Sequence, residues 1–305
     1  MRAFVGVTDY DWFRLLRDSV PLDEVNFWQP SGKTQFKALK PGELFLFKLH
    51  SPKNYIVGGG IFAHSSILPI SLAWESFGKA NGAQDLIQMR SRVAKYRKEK
   101  VDRLSDYFIG CILLEQPFFL PENQWIPVPS DWSPNIVQGK GYDLTTEPGL
   151  SLWNCLEDRF CVANAFSDEN ENPKYGKPSI ILPRLGQGSF RVIVTDTYER
   201  RCAISRERTL PALDAAHIKP YAEVGNHSVN NGILLRRDMH ALFDKGYLTI
   251  TPQSKVEVSS KIREEFENGK DYYKHNGSTI YLPQKIELRP SPDYLRWHNE
   301  EVYRG

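Results

Sequence analysis

Three residues of the second half of the chain have side chains suited to hydrolysis. His217 lies in Leu213-Asp214-Ala215-Ala216-His217-Ile218-Lys219-Pro220, a short run that stops at a proline. Asn231 follows in Asn230-Asn231-Gly232-Ile233-Leu234-Leu235, and His240 in Arg236-Arg237-Asp238-Met239-His240-Ala241-Leu242-Phe243-Asp244. Cleaving a phosphodiester near neutral pH requires a base that can take a proton from water, and an imidazole is suited to that. It also requires a cation to neutralise charge developing on the phosphate and the leaving oxygen. An asparagine can hold the loop that aims the base. His240 and Asp244, spaced i and i+4, project from one face if their segment is helical. An imidazole and a carboxylate suit magnesium, manganese, nickel or zinc, so these residue types leave the metal open.

The elements that must carry these side chains can be read from pattern. The run around His217 predicts a short strand, the run after Asn231 a second strand, and 236–244 a helix closed by Lys245-Gly246. The order is strand, loop, strand, helix. His227 falls in the polar loop 225–228 and reads as a surface residue. Arg184, Gln187 and Arg191 precede the site and could contact phosphate, or serve only capping and packing.

The whole string resembles the HNH nuclease family, whose fold is the ββα-metal module. The resemblance rests on Ala215-Ala216-His217-Ile218-Lys219-Pro220, on Asn231-Gly232-Ile233-Leu234-Leu235, and on His240-Ala241-Leu242-Phe243-Asp244-Lys245-Gly246. It is supported by the lead-in Arg184-Leu185-Gly186-Gln187-Gly188-Ser189-Phe190-Arg191 and Tyr198-Glu199-Arg200-Arg201-Cys202-Ala203-Ile204. It covers residues 180–250. It implies His217 as general base, Asn231 as the residue that organises the loop, and His240 as a metal ligand. Many members carry an acidic residue or a second histidine directly before the base; here Ala216 stands there, and either Asp214 or Asp244 is available as the carboxylate ligand. Magnesium or manganese is the divalent metal expected. Many members also hold a structural zinc with two C-x-x-C pairs. Cys202 stands alone, with Ser205 where a partner would be, so no structural zinc is expected.

The first part of the chain, 1–145, alternates short apolar runs with turn signals. A helix is expected over 8–18 with Thr8 as its cap, strands over 44–49, 55–62 and 107–114, and a basic helix over 84–105. The glycines of Tyr55-Ile56-Val57-Gly58-Gly59-Gly60-Ile61-Phe62 predict a bulge or a close backbone approach. The turn Leu39-Lys40-Pro41-Gly42-Glu43 and the strands around it resemble the PUA-like superfamily, which includes EVE, ASCH and SRA-type domains. That likeness implies a strand-rich barrel that binds nucleic acid, and several such domains accept a flipped modified base. Trp28, in the polar, Pro- and Gly-bounded loop expected over 26–32, is the ring expected to stack on such a base. Arg90, Arg92 and Lys95 begin a basic run that continues through Lys98 and Lys100 and could neutralise phosphates, or form a solvated helix face.

Composition sets outer limits. The chain has 305 residues, 41% hydrophobic and 25% charged, enough for two cores. A net charge of +2 permits nucleic-acid binding without arguing for it. No run of about 18 apolar residues suggests a membrane span. The start carries no recognisable secretory signal, and the four cysteines form no C-x-x-C pair, which fits the cytoplasm.

The reading is an α+β protein of two domains: a PUA-like reader over 1–145, and an HNH nuclease over 150–305 with its helix 151–166 and polar loop 170–177 leading into the motif. It would hydrolyse double-stranded DNA with a divalent metal, favour cytosine carrying a 5-methyl or 5-hydroxymethyl group, and act as a homodimer against phage or foreign DNA. The alternatives are an HNH nuclease whose first domain senses something else, a nucleic-acid-binding protein with an inactive HNH fold, or action on RNA.

Overall fold

The computed structural model describes residues 1–19, 21–97, 102, 105–165, 185–220 and 227–305. The chain divides into two compact units, Met1–Pro183 and Arg184–Gly305. The protein is α+β, with a strand-rich sheet in the first unit and a mixed second unit.

The first unit is built on a sheet of seven strands. They are β1 (Arg2–Thr8), β2 (Glu24–Gln29), β3 (Leu44–Leu49), β4 (Tyr55–Pro69), β5 (Phe108–Phe119), β6 (Ile126–Pro127) and β7 (Gly139–Asp143). Their order is β2-β5-β4-β3-β1-β7, with β6 added to β4. Only β1 and β3 run parallel; every other pair is antiparallel. The sheet is strongly coiled. Four ladder steps separate β2 from β1, about 19 Å in a flat sheet, yet a Cβ added to Gly6 of β1 would stand 3.1 Å from the Phe27 ring of β2. Phe27 also lies 4.7 Å, between ring centroids, from Phe45 of β3. The long β4 makes this possible, because its register on β5 shifts at Gly59/Ile61 and again at Phe62/His64. Each shift adds local twist and bends the strand. The glycine-rich segment therefore does supply a bulge, though β4 runs on to Pro69.

One side of the sheet is filled by aromatic rings, with Trp12 packed edge-on to Phe47 at 5.0 Å and Phe4 to Phe36 at 5.0 Å. Trp12 sits on helix α1 (Tyr10–Arg17), whose first turn is capped by Asp9, not by Thr8: Asp9 Oδ1 accepts from the Trp12 amide at 2.8 Å. The other side packs Ala3, Val5, Leu44, Leu46 and Ile56 against Leu152 and Leu156. These two leucines, spaced i and i+4, lie on helix α4 (Gly149–Ala165). That helix belongs to the first compact unit, so the division falls after it and not at 145–150 as the sequence suggests. The reason is its apolar stripe, which is complementary to the outer face of β1 and β3. The loop 170–177 lies outside the described residues. Helices α2 (Ile70–Phe77) and α3 (Leu86–Tyr96) complete the unit; α3 ends before Lys98 and Lys100, which are outside the described residues.

In the second unit, α5 (Gln187–Thr197) packs beneath a two-stranded ladder of β8 (Leu213–His217) and β9 (Gly232–Arg236). Helix α6 (Arg237–Asp244) follows β9 without a loop. A hairpin of β10 (Leu248–Ile250) and β11 (Val256–Val258) and the helices α7 (Lys261–Phe266), α8 (Lys270–Tyr273) and α9 (Pro292–Glu301) close the unit. Its core joins Phe190 and Val194 of α5, Leu213 and Ala216 of β8, Ile233 and Leu235 of β9, and Met239 and Phe243 of α6. Gly232 lets β9 approach α5 closely: a Cβ there would come within 2.9 Å of Phe190. No helix among the described residues is long and apolar enough to cross a membrane.

Candidate active site

Strand β8, strand β9 and helix α6 place the polar residues at one end of the second unit. His217 is the last residue of β8 and pairs with Gly232, the first of β9, so the loop between them leaves and returns at one point. Asn231 sits at the return. It is fully buried and grips the outgoing chain with both ends of its amide: the Lys219 amide donates to Oδ1 at 2.9 Å, and Nδ2 donates to the Lys219 carbonyl at 2.8 Å. The Ile218 amide donates to the Asn231 carbonyl at 2.9 Å. Three bonds thus fix the residues directly after His217.

Helix α6 buries Met239 and Phe243 completely. Those residues are i and i+4, so His240 and Asp244, one position further on, share the adjacent line of the helix. His240 Nε2 is 3.4 Å from Asp244 Oδ2, and its Nδ1 is 3.2 Å from Asp214 Oδ2 on β8. Arg191 of α5 faces the same aspartate, Nε to Oδ1, at 3.8 Å. The fold therefore brings Asp214, His240 and Asp244 together. The imidazole and two carboxylates are nitrogen and oxygen donors of the kind divalent cations take. Both ring nitrogens of His240 point at carboxylates, so the imidazole must leave one of them to face an ion. Consistent with that, among the described residues no three His, Cys, Asp or Glu are disposed as a ready-made metal cage.

Burial works against the charged form of His240, but its hydrogen bonds to Asp214 and Asp244 outweigh this and raise its pKa to about 9. Asp214 is itself partly desolvated, and its bond to His240 keeps its pKa below the usual carboxylate value. His217 goes the other way. Burial, then the neighbouring His227 and His240, push its pKa down to about 4 against the opposing pull of Asp244 and Asp214. At neutral pH, His217 is an uncharged imidazole able to accept a proton.

His227 was missed by sequence reasoning. It is half-buried, and its Nδ1 is 3.0 Å from Nε2 of His217. The signal lies in topology, because pairing His217 with Gly232 folds the late part of the loop back beside the strand end. Residues 221–226 lie outside the described residues, as does Arg184. Gln187 is the first residue of α5. Cys202 is buried, accepts from the Ser205 amide at 3.4 Å and lies 4.0 Å from the Met239 sulfur.

The first unit carries a cleft of about 760 Å³, placed where β1 and β2 face each other across the coiled sheet. Phe4, Thr8, Phe27, Trp28, Gln29, Phe36, His50 and Tyr96 are among its lining residues. Trp28 thus lines a cleft, but not from a loop: it belongs to β2, opposite Cys111 of β5. It is 9% exposed, and its indole N–H donates to the Asn81 carbonyl at 3.0 Å. Of the three basic residues expected on phosphate, two are engaged within the fold. Arg90 donates to the Ser105 carbonyl at 2.5 Å and Arg92 to the Gly82 carbonyl. Lys95 is exposed and borders a second hollow, beside His50 and Lys53.

Comparison with known proteins bears on the second unit. The family described as HNH endonuclease matches residues 202–251, a span that contains Asp214, His217, His227, Asn231, His240 and Asp244. No curated protein matches the chain. A solved chain described as a modification-dependent TagI restriction endonuclease is similar at 13% identity, with 92% of this chain and 75% of that chain covered and a TM-score of 0.27. Residues 202–251 are thus similar to the HNH endonuclease family, which supports an endonuclease activity for the protein that carries them.

Proposed function

We propose that the protein hydrolyses phosphodiesters of double-stranded DNA with a divalent metal, and that the first unit, a PUA-like reader, directs it to DNA carrying modified cytosine. The observation that carries the nuclease part is the meeting of an uncharged His217 with Asp214, His240 and Asp244 at one end of the β8–β9–α6 assembly. In this reading Asp214, His240 and Asp244 would hold magnesium or manganese, with His240 giving up to solvent the proton that the two carboxylates stabilise when no ion is bound. When bound, the ion supplies positive charge opposite the phosphate and the leaving oxygen. His217 takes the proton from the attacking water. Its flat contact with Phe190, at 4.0 Å between ring centroids, and the grip of Asn231 on Lys219 hold the imidazole in place while it does so. Precise aiming matters because a base must lie within hydrogen-bond reach of the proton it removes.

The cleft of the first unit supports the reader. It is lined by aromatic faces and by amide and hydroxyl groups, which is what a base turned out of a duplex requires: surfaces to stack on and polar groups for its edge. Trp28 forms a rigid wall there, because its N–H is already bonded to Asn81. Cutting both strands with one site per chain calls for two copies, so the working form is a homodimer.

The test is cleavage of one duplex prepared unmodified, 5-methylated and 5-hydroxymethylated at cytosine, with magnesium or manganese, beside His217→Ala. Cleavage confined to modified duplexes and lost in the variant is the expected result. Equal cleavage of all three removes the modified-cytosine reader and leaves the nuclease. Cleavage that persists in His217→Ala removes His217 as the base.

A further inference from the structure

His217 is held on two sides. Its ring lies against Phe190 with planes 10° apart, and its Nε2 is 3.0 Å from Nδ1 of His227. His227 also leans on Phe190, at 5.7 Å between centroids. Two imidazole nitrogens at this distance share one proton, since each neutral ring has one donor and one acceptor. The pair therefore has two neutral arrangements. In the first, His217 is protonated on Nε2 and donates to His227, which leaves a lone pair on Nδ1 of His217. In the second, His227 donates, and His217 carries its own proton on Nδ1, where it cannot accept another. Nδ1 of His217 has no hydrogen-bond partner among the described residues, and the residue is partly exposed.

We propose that His227 is a positioning residue that accepts the Nε2–H of His217 and so makes Nδ1 the atom that deprotonates water. The inference rests on the reading of His217 as the base. In the step, a water O–H bond breaks and the proton goes to Nδ1 of His217. The water oxygen bonds to phosphorus as the bond from phosphorus to the leaving oxygen breaks, and that oxygen takes a proton from solvent. The His217 imidazolium keeps its Nε2–H on His227. The choice of partner has a consequence. A carboxylate in this place would orient the ring equally well but would stabilise the imidazolium strongly. An imidazole fixes the tautomer without adding negative charge. The other charged groups acting on His217 are His240 and Asp244 of α6 and Asp214 of β8, with Arg191 of α5 behind Asp214.

The experiment has two arms, both on the full chain. Nitrogen-resolved NMR of the imidazole rings, without metal and near neutral pH, reads the tautomer directly. Expected is His217 protonated on Nε2, a mixture of tautomers in His227→Ala, and a return to the Nε2 form in His227→Asn, whose Oδ1 can stand where Nδ1 stood. His217 protonated on Nδ1 in the natural chain overturns the inference, and so does a tautomer that ignores His227→Ala. In the second arm, His227→Ala lowers kcat by about 10- to 100-fold, the range for a residue that orients a functional group, with KM for the duplex unchanged. His227→Asn restores most of it. Equal losses in the two variants overturn the inference. Cleavage surviving His217→Ala would remove the base assignment while leaving the tautomer result standing, so the two failures are distinguishable.

Discussion

Replacing Asn231 by alanine removes two hydrogen bonds made by a fully buried side chain. Asn231 is 0% exposed, and its amide meets the Lys219 N–H at 2.9 Å and the Lys219 carbonyl at 2.8 Å. Each net bond contributes about 1 kcal/mol, and a backbone group left unsatisfied costs about 1–3 kcal/mol. Lys219 is half-buried, so water reaches part of the vacated site and the lower end applies. The expected loss is about 2–3 kcal/mol for the second unit. Urea unfolding gives the total, and amide hydrogen exchange at Lys219 gives the local part. Exchange at Lys219 should accelerate by at least as much as the global loss of stability requires. Asn231→Asp separates donor from acceptor. It still accepts from the Lys219 N–H but sets a carboxylate oxygen against the Lys219 carbonyl, so near neutral pH it should be no better than alanine. A loss under about 0.5 kcal/mol, with Lys219 as protected as before, would refute the claim that this amide holds the turn after His217.

His298 of α9 is buried, its Nε2 is 3.0 Å from the Phe243 carbonyl at the end of α6, and burial lowers its pKa to about 4 from 6.5. The folded state keeps it neutral while the unfolded state takes up a proton below about 6.5, so this contribution is whole above that pH and is lost as pH falls toward 4. The loss is on the order of 3 kcal/mol, and denaturant midpoints measured across this window should fall less steeply in His298→Asn; an unchanged slope would refute the assignment. In the first unit, Arg92→Ala should lower stability by about 1 kcal/mol through its bond to Gly82 and change DNA affinity little. Lys95→Ala should weaken DNA binding and flatten its salt dependence without loss of stability. The reverse pattern would return Arg92 to the phosphate-binding surface.

The order strand, loop, strand, helix was legible because it depends on local rules. An apolar run stopped at Pro220, a second run began at Gly232, and a helix closed at Gly246, whose φ of +73° suits glycine. The i, i+4 spacing likewise placed His240 and Asp244 together before any tertiary contact was known. The glycines of 58–60 announced a bulge for the same local reason, since a missing Cβ marks close backbone approach.

Other features depended on contacts between distant residues. Trp28 reads as a loop residue because Pro30 and Gly32 follow it, whereas its pairing with β5, more than eighty positions away, makes it a strand residue. The apolar stripe of α4 is visible in sequence, but nothing local says which core it fills, and the division between units moved with it. The basic face of α3 could not be divided into charges held by the fold and charges left exposed until Gly82 and Ser105 were found beneath Arg92 and Arg90. His227 is the sharpest case. A polar residue in a polar loop carries no local mark of function. What decides its role is the antiparallel register that sets His217 opposite Gly232 and folds the loop back until two imidazoles share one proton. Sequence alone indicated His217, Asn231, His240 and Asp244 as side chains suited to the chemistry and the strand, loop and helix on which they ride. Tertiary structure decided which of them meet, because proximity across a loop or a ladder is set by packing and register, not by spacing along the chain.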